Sequence, residues 1–168
     1  MRRLALVPAV LVIAFAFALP AAARPSIVTT QRDFVLSSEQ CSNLADGTTL
    51  TGSGIEKAIE SVRTNASGVT MIINATHTHG TSTDQDGNVY VFNYSNEFRI
   101  SNSVASPDVF TGLMTDHFSN SGSGPAKLNN GFVANVTFGP GDAFAADPIS
   151  SHGDPFSFPF GPNLCDPL

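Results

Sequence analysis

Clusters of turn-forming residues cut this chain into segments too short for a helical bundle. They stand at Asn65-Ala66-Ser67-Gly68, Asp84-Gln85-Asp86-Gly87, Ser106-Pro107-Asp108, Ser121-Gly122-Ser123-Gly124 and Asn129-Asn130-Gly131. Each joins glycine or proline to side chains that hydrogen-bond their own backbone, which is the chemistry of hairpin connections. The stretches between them, at about 27–36, 48–63, 69–79, 88–101, 109–119 and 131–138, are rich in Val, Ile, Thr, Tyr and Phe and predict strands. Ile55, Ala58, Ile59 and Val62 have helical spacing with Glu56 and Glu60 opposite, but the short segment lies between two turn signals and reads as strand. Regular strands joined by tight turns predict an all-β antiparallel meander closed as a small β-barrel, with a β-sandwich as the alternative.

Residues 139–168 hold six of the eleven prolines together with Phe144, Phe156, Phe158 and Phe160. Proline removes ladder donors, so this tail is expected as an irregular strap, its rings packed over one edge or end of the sheet.

The chain begins Met1-Arg2-Arg3, continues with an apolar run from Leu4 to Leu19, and then reads Pro20-Ala21-Ala22-Ala23. A charged start, an apolar core and a small-residue end make a secretory signal peptide over residues 1–23. The run is shorter than the roughly 20 residues of a spanning helix, which argues against an uncleaved anchor. Residues 24–168 are then expected as one secreted, soluble, monomeric domain, without stable membrane association. Cleavage would leave six basic against fourteen acidic side chains, a net charge of −8 with histidine neutral. Without a cluster of Lys and Arg to neutralise phosphate, nucleic acid and anionic lipid are not expected partners. The two cysteines, Cys41 and Cys165, match no zinc or redox spacing. In an exported chain they predict a disulfide.

The stretch 74–96 carries the site candidates. A two-residue Asp86-Gly87 turn of type I′ would pair residues whose numbers sum to 173. Ile73 then faces Ile100, Ala75 faces Phe98, His77 faces Asn96 and His79 faces Tyr94, so apolar meets apolar. In that register His77, His79, Tyr94 and Asn96 form one polar cluster at the rim of the core-facing side, suited to a small molecule. His77-Thr78-His79 could also offer two ligands to zinc or copper, with a third from Asp116, His117 or His152. Hydrogen bonding at a sheet end is the plainer role of such histidines, and no cofactor or metal is implied.

Other signals are weaker. Asp84-Gln85-Asp86-Gly87-Asn88 resembles the start of a calcium loop but lacks the closing Glu, and a hairpin turn explains it. No G-x-S-x-G elbow is present. Asp116 and His117 are strand neighbours that point to opposite faces, so they cannot work as base and orienting acid. Sequons at Asn74, Asn93 and Asn135 fall in strands, on the face expected to lie opposite the core, and a fourth is at Asn65. The function expected is a non-enzymatic module that binds a small molecule or an extracellular surface. The alternative is a small barrel enzyme, a hydrolase, isomerase or cyclase, with His77 or His79 as general base and Tyr94 as hydrogen-bond donor.

Overall fold

The computed structural model describes residues 25–39, 41–141 and 143–153. Seven strands form one antiparallel sheet: β1 (Ser26–Ser37), β2 (Thr49–Thr64), β3 (Thr70–Asp84), β4 (Val89–Ser103), β5 (Ser106–Gly122), β6 (Leu128–Phe138) and β7 (Phe144–His152). Their order in the sheet is their order in the chain, so the fold is an all-β meander. There is no helix among the described residues. The six expected strands are β1 to β6, and the ambiguous segment 55–63 lies inside β2, paired with β3 throughout and with β1 as far as Glu60.

Two features of the architecture differ from expectation, apart from the register described below. The first part of the proline-rich tail is not an irregular strap but the edge strand β7. Pro148 is tolerated there because one side of an edge strand has no ladder to break. Pairing also shifts between Val133 and Ala134, so that Ile149 bulges between Pro148 and Ser150. Secondly, the ladder is open: no pairing joins β1 to β7 among the described residues, and the expected barrel closure is not made. The rest of the tail with Cys165, and the leader 1–23, lie outside the described residues. The expected cleavage and the Cys41–Cys165 pairing lie outside them too.

The sheet is nevertheless strongly curled. Phe34 on β1 meets Phe92 on β4 edge to face, with ring centroids 4.8 Å apart, and Phe118 on β5 at 6.0 Å. In a flat sheet these strands would be about 14 and 19 Å apart. Glycines on β2 and β3 permit the approach. A side chain at Gly52 would occupy the Phe34 ring, and a Cβ at Gly54 or Gly80 would stand 2.7 or 2.8 Å from the Phe92 ring. Leu36, Leu50, Tyr90, Leu128 and the buried loop residues Cys41 and Leu44 complete this first apolar cluster. A second, looser cluster holds Ile100, Met114, Phe132, Ala134 and Val136, with Phe98, Phe110, Phe138 and Phe144 half-buried around it.

Strand alternation separates the two faces sharply on β4, where Tyr90 and Phe92 are buried while Val89 and Val91 are exposed. Even-numbered residues of β3, β4 and β5 line the inner side. The register behind this is fixed by the β3–β4 turn, and it is not the one expected. Thr83 pairs with Val89 and Thr78 with Tyr94, a sum of 172 rather than 173. The loop has three residues, not two: Gly87 N–H donates to Asp84 O, and Gly87 takes the left-handed φ of +81° that closes a type I turn with a bulge. Asp84 dictates this. Its carboxylate accepts from the backbone N–H of Asp86 and Asn88, from Asn88 Nδ2 and from Tyr90 Oη at 2.7–3.0 Å. The β2–β3 turn repeats the device with Asn65, whose Oδ1 accepts from Ser67 and Val69, ahead of Gly68 at φ +87°.

Candidate functional site

The one-residue change of register sends β3 side chains to the face opposite the one expected, and with them the histidines. His77 and His79 lie exposed on the outer face, whereas Tyr94 and Asn96 point inward. The expected cluster of four is therefore two separate sites, and the pairing of a histidine base with Tyr94 is not assembled. Asn93 and Asn135 are on the outer face as expected, but Asn74 has moved to the inner one, opposite Phe98.

Inside, Tyr94 and Asn96 converge on a residue from the next strand. Asn96 pairs with Asp116 across the β4–β5 ladder, and Tyr94 pairs with Phe118 beside it. Tyr94 Oη donates to Asp116 Oδ2 at 3.0 Å, and Asn96 Nδ2 donates to the same oxygen at 2.7 Å. Asp116 is only 4% exposed, and its other oxygen, Oδ1, is buried without a partner. Among the described residues the one other such side-chain atom is the neutral hydroxyl of Ser61. Burial pushes the Asp116 carboxyl above its ordinary value, against the opposing pull of Asn96, Tyr94 and the charge of His117. The acid sits between the two apolar clusters, Tyr94 packing against the first and Phe98 belonging to the second.

A second inner aspartate supplies the contrast. Asp84 is also largely buried, yet all its acceptor capacity is used. Partial burial raises the proton affinity of Asp84, but hydrogen bonds from the Asn88 and Tyr90 side chains and the Asn88 and Asp86 amides prevail and hold it below the ordinary carboxylate value. One carboxylate is built into the fold, and the other is left half-satisfied. Their surroundings drive the two like groups apart in proton affinity, and Asp116 is the candidate site residue of the pair.

On the outer face, a single row across the sheet runs Lys57, His77, Ser95, His117, Gly131 and His152. His79 stands two residues from His77, so all four histidines of the chain share this face. A shallow depression of about 350 Å³ lies among His77, His79, Asn93, Ser95 and His117. His117 Nε2 lies 2.9 Å from Asn129 Oδ1, while Asp116, its chain neighbour, faces the other way. No group of three or more His, Cys, Asp or Glu side chains is placed to hold a metal ion among the described residues.

No family model, curated protein or solved structure matches this chain. The site must therefore be read from its own geometry.

Proposed function

We propose that this protein is an exported, non-enzymatic binding module whose inner face takes a small, largely apolar molecule carrying a hydrogen-bond donor. One observation carries the reading: the buried, unpartnered Oδ1 of Asp116, set one ladder step from the half-buried Phe98. A buried acceptor without a donor costs free energy, about 1–3 kcal/mol for a neutral group and more for a charged one. A ligand hydroxyl or amide would remove that cost, while its apolar body would cover Phe98, one diagonal step from Asp116 across the ladder. We read the sheet as open and curled, with its hollow side as the binding side, in place of a closed barrel or a sandwich. Export follows from the leader-like residues 1–23, and the mature chain is taken as a monomer with Cys41 and Cys165 joined.

The test uses two probes with the same naphthalene body, 1-naphthol and 1-methoxynaphthalene, of which only the first donates a hydrogen bond. A bond to a charged acceptor contributes about 1.5–3 kcal/mol, so 1-naphthol should bind roughly 10- to 100-fold more tightly. Asp116→Ala should erase the difference. Equal affinities for the two probes, or a preference that survives in Asp116→Ala, would sink the proposal.

The raised proton affinity of Asp116 favours one second reading, in which the same carboxyl acts as a general acid beside Tyr94. Hydrolysis of a naphthyl ester that disappears in Asp116→Asn would establish it, and an unchanged rate in that variant would dismiss it.

A further inference from the structure

We propose that the free edge of β1 pairs with the β1 edge of a second copy of this chain, giving a reversible two-fold dimer whose sheet runs unbroken through the seam. The inference is independent of the inner-face reading, and the monomer taken there is the dilute form. Among the described residues the sheet has two open edges, and they are not alike. β7 carries Pro148, which has no N–H to donate, and the bulge at Ile149. β1 has neither proline nor bulge over Ser26–Ser37, and its first eight residues are exposed. An edge so bare is a template for another strand. The chain's own β7 is ill suited to take it. Odd-numbered strands of an antiparallel meander run the same way, so β1 and β7 could meet only in parallel, and Pro148 and the bulge interrupt the ladder that β7 offers.

β1 is also a palindrome in polarity. It reads Ser26-Ile27-Val28-Thr29-Thr30-Gln31-Arg32-Asp33-Phe34-Val35-Leu36, apolar near both ends and polar between. A two-fold axis at Gln31 pairs residues whose numbers sum to 62, so Ile27 faces the partner's Val35 and Val28 faces the partner's Phe34. Ile27 and Val35 are 68% and 61% exposed on the outer face, and in the dimer each covers the other. Moving the axis by one residue loses this match. At Thr30 it sets Ile27 against Asp33 and Val28 against Arg32, and at Arg32 it brings two guanidinium groups together.

The charges agree with the axis at Gln31. Arg32 is held by Glu56 of its own β2 at 3.0 Å and meets the partner's Thr30 across the seam. Asp33 meets the partner's Thr29, and Thr29 pairs with Lys57 on β2. A lysine of one copy and a carboxylate of the other therefore share one outer-face row, with only a threonine between them. The axis stands perpendicular to the sheet, so both hollow sides open the same way and neither inner face is covered.

Sedimentation of the full chain should show a monomer–dimer equilibrium with the dimer prevailing at about 0.5 mM, since a single pair of edge strands makes an interface at the weak, small end of the range. Ile27→Lys acts twice in each dimer and should weaken association roughly tenfold. Val91→Lys, likewise exposed on the outer face but away from the edge, should leave it unchanged. Under oxidation Gln31→Cys should form a covalent dimer roughly tenfold faster than Ile27→Cys, because the axis sets position 31 beside its own copy and holds the two positions 27 roughly 27 Å apart. A chain that stays monomeric at that concentration, undiminished association in Ile27→Lys, or equal cross-linking by the two cysteine variants would overturn the pairing.

Discussion

Asp84 and Asp116 lie on the same face of the same sheet and have opposite effects on stability as pH changes. Asp84 has a depressed proton affinity, so its contribution is present above the unfolded value, near pH 3.9, and is lost as pH falls through the lower folded value. Asp84→Ala should lower the urea midpoint at pH 7 and flatten the acid limb of the stability curve. Asp116, with a raised value, behaves in reverse: its favourable contribution is complete below about pH 3.9 and is lost as pH rises through the folded value. Asp116→Asn should therefore equal or exceed the parent in stability at pH 7 and lose that advantage by pH 3, as read from paired denaturation curves. Of these two residues, Asp84 carried a local signal, which the reading of Asp86-Gly87 as a two-residue turn passed over. Aspartate followed three residues later by glycine is the signature of a type I turn with a left-handed close, and Asn65 to Gly68 repeats it. Asp116 carried none, because its role depends on Tyr94 and Asn96, which reach it only across a ladder of known register.

At the level of elements, the strands could be read and the register could not. Both candidate registers set an isoleucine opposite Ile100, Ile73 in the expected one and Ile72 in the one observed, since β3 has Met71, Ile72 and Ile73 in succession. The turn decides between them. Asp84→Val together with Asp86→Asn would remove the carboxylate that closes the three-residue loop, favour a two-residue Asn-Gly turn and bring the odd-numbered residues of β3 to the side of Tyr90 and Phe92. The variant is expected to lose its cooperative unfolding transition, and retention of a sharp one would refute this account of the turn. β7 escaped notice because Pro148 argues against a strand, an argument that fails at an edge. The glycines of β2 and β3 were equally silent, for nothing in the sequence says which ring lies over them. Gly80→Ala would press a methyl group against Phe92 and the Ser53 carbonyl, and should cost about 1–3 kcal/mol in a denaturant titration.

For the molecule as a whole, the meander followed from the spacing of turns, but its curl depends on contacts between strands far apart in the ladder. The one covalent link expected, Cys41 to Cys165, would close a loop of more than a hundred residues. Cys41 is fully buried beneath the first cluster. Reduction of such a link should lower stability by on the order of 4 kcal/mol in the chain-entropy account. Non-reducing mass spectrometry of the exported protein should find a chain beginning at Arg24 and two hydrogens lighter than the dithiol; free thiols or a retained leader would contradict those assignments.

Pairing between sequence neighbours alone also sets a timetable. As a chain of this topology emerges N-terminus first, each new strand finds its partner already present, so hairpins can form one at a time without waiting for distant sequence. The curl is different. Phe34 must wait for Phe92 and then Phe118, and the side-chain bond between Asn43 and Asn130 spans 87 positions. A chain halted before Val89 can thus possess its first three strands yet lack the rings that roll them up, leaving Phe34, Leu36 and Leu50 open to whatever it meets first.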